Sequence, residues 1–213
     1  AAGVDANYDG VAWGSEFTSD LATPDVWTNL ALQSQTFNTI WTPVRASTSA
    51  DTGATTDPFG TNLADKLIED ATAGSSHYTR QVVSVAASTT YTQSVYAKAG
   101  ERSWISIGAN AAAVDSSGTW FDLTNGVVGT TGTGHTAAIT SVGNGWYRCS
   151  ITRTTGGAET SWNVDNVIST GNGARAYDGN GTSGIYLWGA QLREGSTAGP
   201  YTPTTSAARA RFD

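Results

Sequence analysis

The sequence is short of the residues that tie, charge or metallate a fold. Cys149 is the only cysteine among 213 residues, so no disulfide forms within the chain and no zinc spacing of Cys and His exists. Histidine is nearly absent too, with His77 and His135 alone. Nucleophilic hydrolysis needs a base beside the nucleophile, usually His, and neither HExxH nor Gly-x-Ser-x-Gly occurs. Both histidines read more simply as satisfied or solvent-facing side chains. No run of about 20 apolar residues is present to cross a bilayer as a helix.

Charge is scarce as well. Only 14% of residues are charged, and 18 acids against 11 Lys and Arg leave a net charge of -7. An acidic surface repels nucleic-acid phosphates and anionic lipids, so the sequence predicts neither nucleic acid nor membrane as a partner.

What is abundant points to strands. Apolar residues make up 38% of the chain and glycine numbers 25, with Thr, Ser and Asn supplying most of the polar surface. β-Branched Thr and Val suit a pleated surface, while Gly and Asn tolerate tight turns. Several segments alternate at the strand period. Thr90 to Ala97 sets Tyr91, Gln93, Val95 and Ala97 against Thr92, Ser94 and Tyr96. Gly145 to Thr154 sets Tyr147, Cys149 and Ile151 against Trp146, Arg148 and Ser150. Gly184 to Leu192 sets Tyr186, Trp188, Ala190 and Leu192 against Ile185 and Leu187. Further candidates are Ala64–Glu69, Tyr78–Val85, Ser103–Ala109, Trp120–Leu123, Val127–Gly129, Ala137–Val142 and Trp162–Ile168. Asn125-Gly126 predicts a two-residue hairpin turn, and Gly143-Asn144-Gly145 is similar punctuation. Helix is confined at most to a turn near Leu30–Asn38. About ten short strands predict an all-β, antiparallel two-sheet β-sandwich of jelly-roll type.

Three regions follow. Residues 1–27 lack any sustained period and are expected to form an irregular N-terminal arm or linker; an edge strand with loops fits them equally. Residues 28–205 form the sandwich, and 206–213 a C-terminal tail.

The aromatic inventory carries the chemistry. Eight Trp and eight Tyr offer rings on which the C–H faces of sugars stack, with Asn, Gln, Arg and Asp to bond hydroxyls. Trp104, Trp120, Trp146, Arg148 and Trp162 are the candidate carbohydrate-binding residues, each with core packing as the plainer reading. Trp188 and Tyr147 share faces with Ala, Cys and Leu and are expected in the core. Glycoside hydrolysis needs only two converging carboxylates, and Asp122, Asp165, Glu69 and Asp70 are available, though solubility and turn chemistry explain them well. No cofactor is implied. A structural calcium ion is the exception the sequence leaves open, with oxygens from Asp51–Asp57 or Asp178-Gly179-Asn180-Gly181.

The ordered segments carry a resemblance. Asn29-Leu30-Ala31-Leu32-Gln33-Ser34-Gln35-Thr36-Phe37 and Trp41-Thr42 are followed by Ala64-Asp65-Lys66-Leu67 and Thr90 to Gly100. Then come Trp120-Phe121-Asp122-Leu123, Gly143 to Cys149, Gly184 to Leu192 and the close at Gly195 to Pro203. Together, over residues 29–205, they resemble a domain recurrent in tailed-phage virion proteins and similar to carbohydrate-binding jelly rolls. Many relatives read Leu-Tyr-Ser-Glu-Asp-Phe where this chain has Leu32-Gln33-Ser34-Gln35-Thr36-Phe37, so both acids are lost. The resemblance implies a non-catalytic structural protein of the virion surface: a tail fibre, head fibre, spike or capsid-decoration subunit. It further implies a homo-oligomer, other virion proteins as partners, and glycan or polysaccharide as a further ligand. An extracellular carbohydrate-binding module of a secreted bacterial polysaccharide-degrading protein is the alternative.

Overall fold

The computed structural model describes residues 26–108 and 118–212. Among these there are fourteen strands and no helix: β1 Val26–Asn29, β2 Thr42–Val44, β3 Ala46–Ser49, β4 Asp65–Glu69, β5 His77–Ser84, β6 Thr90–Ala99 and β7 Trp104–Gly108, then β8 Gly118–Asp122, β9 Val127–Val128, β10 Thr136–Gly143, β11 Trp146–Thr154, β12 Ser161–Ser169, β13 Gly184–Glu194 and β14 Arg209–Phe212. All ten strands expected from alternation are present. The first 25 residues, and with them most of the expected arm, lie outside the described residues.

Two open six-stranded sheets face each other, in the orders β10-β11-β6-β13-β4-β3 and β2-β5-β12-β7-β8-β9. Every pairing is antiparallel. β1 and β14 form a separate two-stranded ribbon. The chain is therefore an all-β sandwich, as its composition and strand periods predict. Neither sheet closes on itself.

Alternation sends one side of each strand inward. Leu67, Val95, Ile151 and Leu187 from the first sheet meet Ile105, Phe121, Val164 and Ile168 from the second, all without solvent exposure. Trp162 belongs to this same core at 0% exposure. Its Nε1 donates to Gln93 Oε1 at 2.9 Å, and Gln93 Nε2 donates to the Asp165 carbonyl at 3.1 Å. A polar link between sheets thus satisfies the amide that alternation places among apolar neighbours.

Two local details differ from the sequence reading. The two-residue turn is Asn144-Gly145, with φ of 52° and 78°, closing β10 on β11. Asn125-Gly126 instead ends a four-residue loop in which Asp122 pairs with Val127. There the Asp122 carboxylate accepts from the Thr124 and Asn125 amides and pre-empts the tighter turn. In β13 the register slips between Trp188 and Gln191, where Gly189 takes φ 62°. This bulge reverses the alternation. Ile185 and Leu187 point inward before it, Ala190 and Leu192 after it, and Trp188 is turned to the outer face with a second, smaller cluster.

Candidate functional site

The outer face of the first sheet is aromatic. Arg148, Tyr96 and Trp188 are register partners on the adjacent strands β11, β6 and β13, so they form one row across the sheet. The Arg148 guanidinium lies 5.4 Å from the Tyr96 ring centre, and the Tyr96 and Trp188 rings meet edge-on at 5.3 Å. Trp146 lies in the next row, fully buried.

Two loops wall this row. The first carries Asp57-Pro58-Phe59-Gly60, a turn closed by Gly60 N–H donating to the Asp57 carbonyl at 3.0 Å. Asp, Pro and Gly are the residues such a turn favours. The buried Asp57 carboxylate accepts from the Phe59 amide at 2.7 Å and from the Thr61 amide and hydroxyl. Trp146 Nε1 donates to the Thr56 carbonyl at 2.8 Å, and Lys98 Nζ to Thr55 Oγ1 at 2.9 Å. The second wall is the segment after β13. Arg148 Nη1 donates to the Gly199 carbonyl at 2.5 Å and Nη2 to that of Ala198 at 3.3 Å. Tyr201 then packs against Trp188, the ring centres 4.7 Å apart and the planes tilted by 54°, its hydroxyl 2.7 Å from Ser34 Oγ.

Between the walls lies a groove of about 360 Å³. Phe59, 69% exposed, stands over it with its ring centre 5.1 Å from Trp188. Leu63 and Pro203 continue the apolar lining, and Gln35 and Thr61 supply its polar atoms. An exposed ring beside convergent neutral polar groups is the arrangement that binds a small ligand with both apolar and hydroxyl faces.

Of the five candidate binding residues, two belong to this site without lining it. Trp146 and Arg148 hold its two walls. Trp162 is a core residue, and with no exposed ring face it offers nothing to stack upon. Trp120, 4% exposed, and half-buried Trp104 occupy the outer face of the second sheet. Phe59, Trp188 and Tyr201 form the groove, and the sequence reading did not single them out as binding residues. Two signals were there: an aromatic at the tip of an Asp-Pro-x-Gly turn has no core to enter, and a lone glycine within a strand marks a bulge.

The candidate carboxylates are engaged elsewhere. Asp165 accepts both Arg80 Nε and Nη2, at 2.6 and 2.8 Å, and faces Arg175 at 3.3 Å. Burial pushes Glu69 up, but hydrogen bonds from Arg102, Tyr177 and the Asn180 amide outweigh it and hold the carboxyl below its ordinary range. The same balance, with Asn125 and Thr124 as donors, lowers Asp122. Among the described residues no three or more His, Cys, Asp or Glu side chains are placed so that they could hold a metal ion.

No family model matches this chain, nor does any curated protein. Among solved structures it is similar to the enzymatically active domain of tailspike protein 4 of bacteriophage CBA120, with a TM-score of 0.46 and 14% identity. The match covers 78% of this chain and 21% of that one, so the chain spans about a fifth of the length of the protein it falls on. The expectation that the chain is not an enzyme is corrected here: the domain on which it falls is described as enzymatically active, which is said of that tailspike.

Proposed function

We propose that this chain is a β-sandwich module of a phage tail spike or fibre, and that it binds glycan through the aromatic groove of its first sheet. The ordered motifs over residues 29–205 support the virion setting, and the tailspike match agrees with it. The observation that carries the binding role is Phe59: a 69% exposed aromatic ring fixed by the inward hydrogen bonds of Asp57 and Trp146. Exposing such a ring forgoes the stabilisation of burying it, and a rigid loop around it spares the bound state an ordering cost. Trp188, held in the row with Tyr96 and Arg148, supplies the floor and Tyr201 the far wall. Glycan recognition is a step shared by spikes that cleave their receptor and fibres that only adhere to it. A place on the virion surface, beside other virion proteins and in a homo-oligomer, belongs to the same reading, as does the likeness to carbohydrate-binding jelly rolls.

The test is retention of the full chain on a panel of immobilised bacterial polysaccharides, with Phe59→Ala beside it. Retention on at least one polymer, weakened about tenfold by the loss of the stacking ring, is expected. If the variant is retained as strongly as the parent on every polymer that binds, the groove is not the site.

A further inference from the structure

Resting on that reading, we infer that the groove selects neutral sugars and rejects those bearing carboxylate, sulfate or phosphate. None of its described lining residues is charged: Phe59, Leu63, Trp188, Tyr201 and Pro203 are apolar or aromatic, and Gln35 and Thr61 are neutral polar groups. Three ionic side chains shape its walls and none of them lines the groove; Lys98 donates to Thr55 Oγ1. The Asp57 carboxylate, 1% exposed, is filled by the Phe59 and Thr61 donors beneath the loop. The Arg148 guanidinium is spent on Ser94 Oγ and on the carbonyls of Ala198 and Gly199. None of the three is among the lining residues that would meet an acidic sugar.

The polar atoms that do face the groove match hydroxyls. The Gln35 amide makes no hydrogen bond to another described residue, so it keeps both donor and acceptor capacity. Thr61 gives its hydroxyl proton to Asp57 and so presents lone pairs. A sugar hydroxyl can donate to Thr61 Oγ1 while accepting from the Gln35 amide. The apolar remainder, Phe59 with Leu63 and Pro203, takes a C–H face or a methyl group. An acidic sugar placed here loses hydration without gaining a paired charge. The net charge of -7 adds a long-range repulsion of polyanions.

The experiment measures binding of the full chain to neutral polymers (a glucan, a galactomannan, a 6-deoxyhexose polymer) and to acidic ones (polygalacturonate, alginate, polysialate). Each is run with Phe59→Ala and Gln35→Ala, from about 0.05 to about 0.5 M salt, a range across which screening of surface charge changes strongly. Expected are retention on a neutral polymer that changes less than about twofold with salt, and a loss of about tenfold in each variant. Retention on acidic polymers that depends on Phe59 and weakens with salt overturns the selection for neutral sugars while leaving the glycan reading in place. Retention on no polymer removes the glycan reading itself, and this inference with it.

Discussion

Trp146 Nε1 donates to the Thr56 carbonyl across 2.8 Å, so a fully buried ring on β11 fixes a loop ninety residues earlier in the chain. Its indole therefore acts on the groove from behind, through the backbone that leads to Phe59. Trp146→Phe keeps most of the buried surface and removes the donor, which leaves the Thr56 carbonyl without its partner. A loss of about 1–2 kcal/mol is expected by urea unfolding. Hydrogen exchange should rise in residues 55–61 and remain unchanged in β12. Equal protection of the loop in both proteins would show that the indole bond does not hold it.

The strands were legible in the sequence, and the groove was not, for one physical reason. Alternation reports which side of a strand is buried, as at Cys149 and Ile151 inside against Trp146 and Arg148 outside. It cannot report a bulge, so Trp188 was grouped with Ala190 and Leu192 although Gly189 turns it to the opposite face. Loops carry no period at all, which hid Phe59. The short strands β1, β2, β3 and β14 were missed because three or four residues are too few to show alternation, whereas β9, shorter still, is marked by the Asn125-Gly126 turn before it. Trp146 and Arg148 were chosen because they lie opposite the Tyr147 face of their strand, and on that side they bind the loop carbonyls of Thr56, Ala198 and Gly199.

Gly189 makes that failure testable. Its φ of 62° suits glycine, and an added Cβ meets Tyr96 Cδ2 at 2.9 Å and the Tyr201 ring at 3.3 Å. Gly189→Ala is expected to cost about 1–2 kcal/mol through the backbone conformation alone. It should also push Tyr201 away from Trp188 and weaken glycan retention. Gly134→Ala is the control, since its φ of 75° is similar and no atom lies within 4 Å of the added Cβ. It should cost similar stability and leave retention unchanged.

Arg148 joins the second wall to the sheet through the Gly199 and Ala198 carbonyls. Arg148→Met retains much of the apolar stem over Tyr96 and removes every donor. The segment 198–203 then loses its tether. A destabilisation of about 2–3 kcal/mol is expected for charge-assisted hydrogen bonds, read as a lower melting temperature. Tyr201 should respond in its fluorescence or its NMR shifts. Arg148→Lys can restore the charge but not the fork that reaches Ser94 and both carbonyls, so it should recover less than half of the loss.

Glu69 supplies the pH dependence. Its side chain is fully buried and paired with Arg102 across 2.6 Å, and it accepts further from Tyr177 and the Asn180 amide. Desolvation raises its pKa, and these partners more than offset that, leaving it lowered from 4.5. A lowered folded-state pKa means that the unfolded chain binds the proton more readily. The stabilisation is then complete above the unfolded value and fades as pH falls through the folded one. Glu69→Gln leaves Arg102 without its carboxylate and should cost about 3 kcal/mol at pH 7. Below the folded pKa the native carboxyl is itself protonated, so the gap between the two proteins should narrow. Urea unfolding of both at neutral pH and at about pH 3, below the ordinary carboxylate range, measures it. A gap that stays constant between the two pH values would mean that Glu69 contributes packing and neutral hydrogen bonds rather than charge.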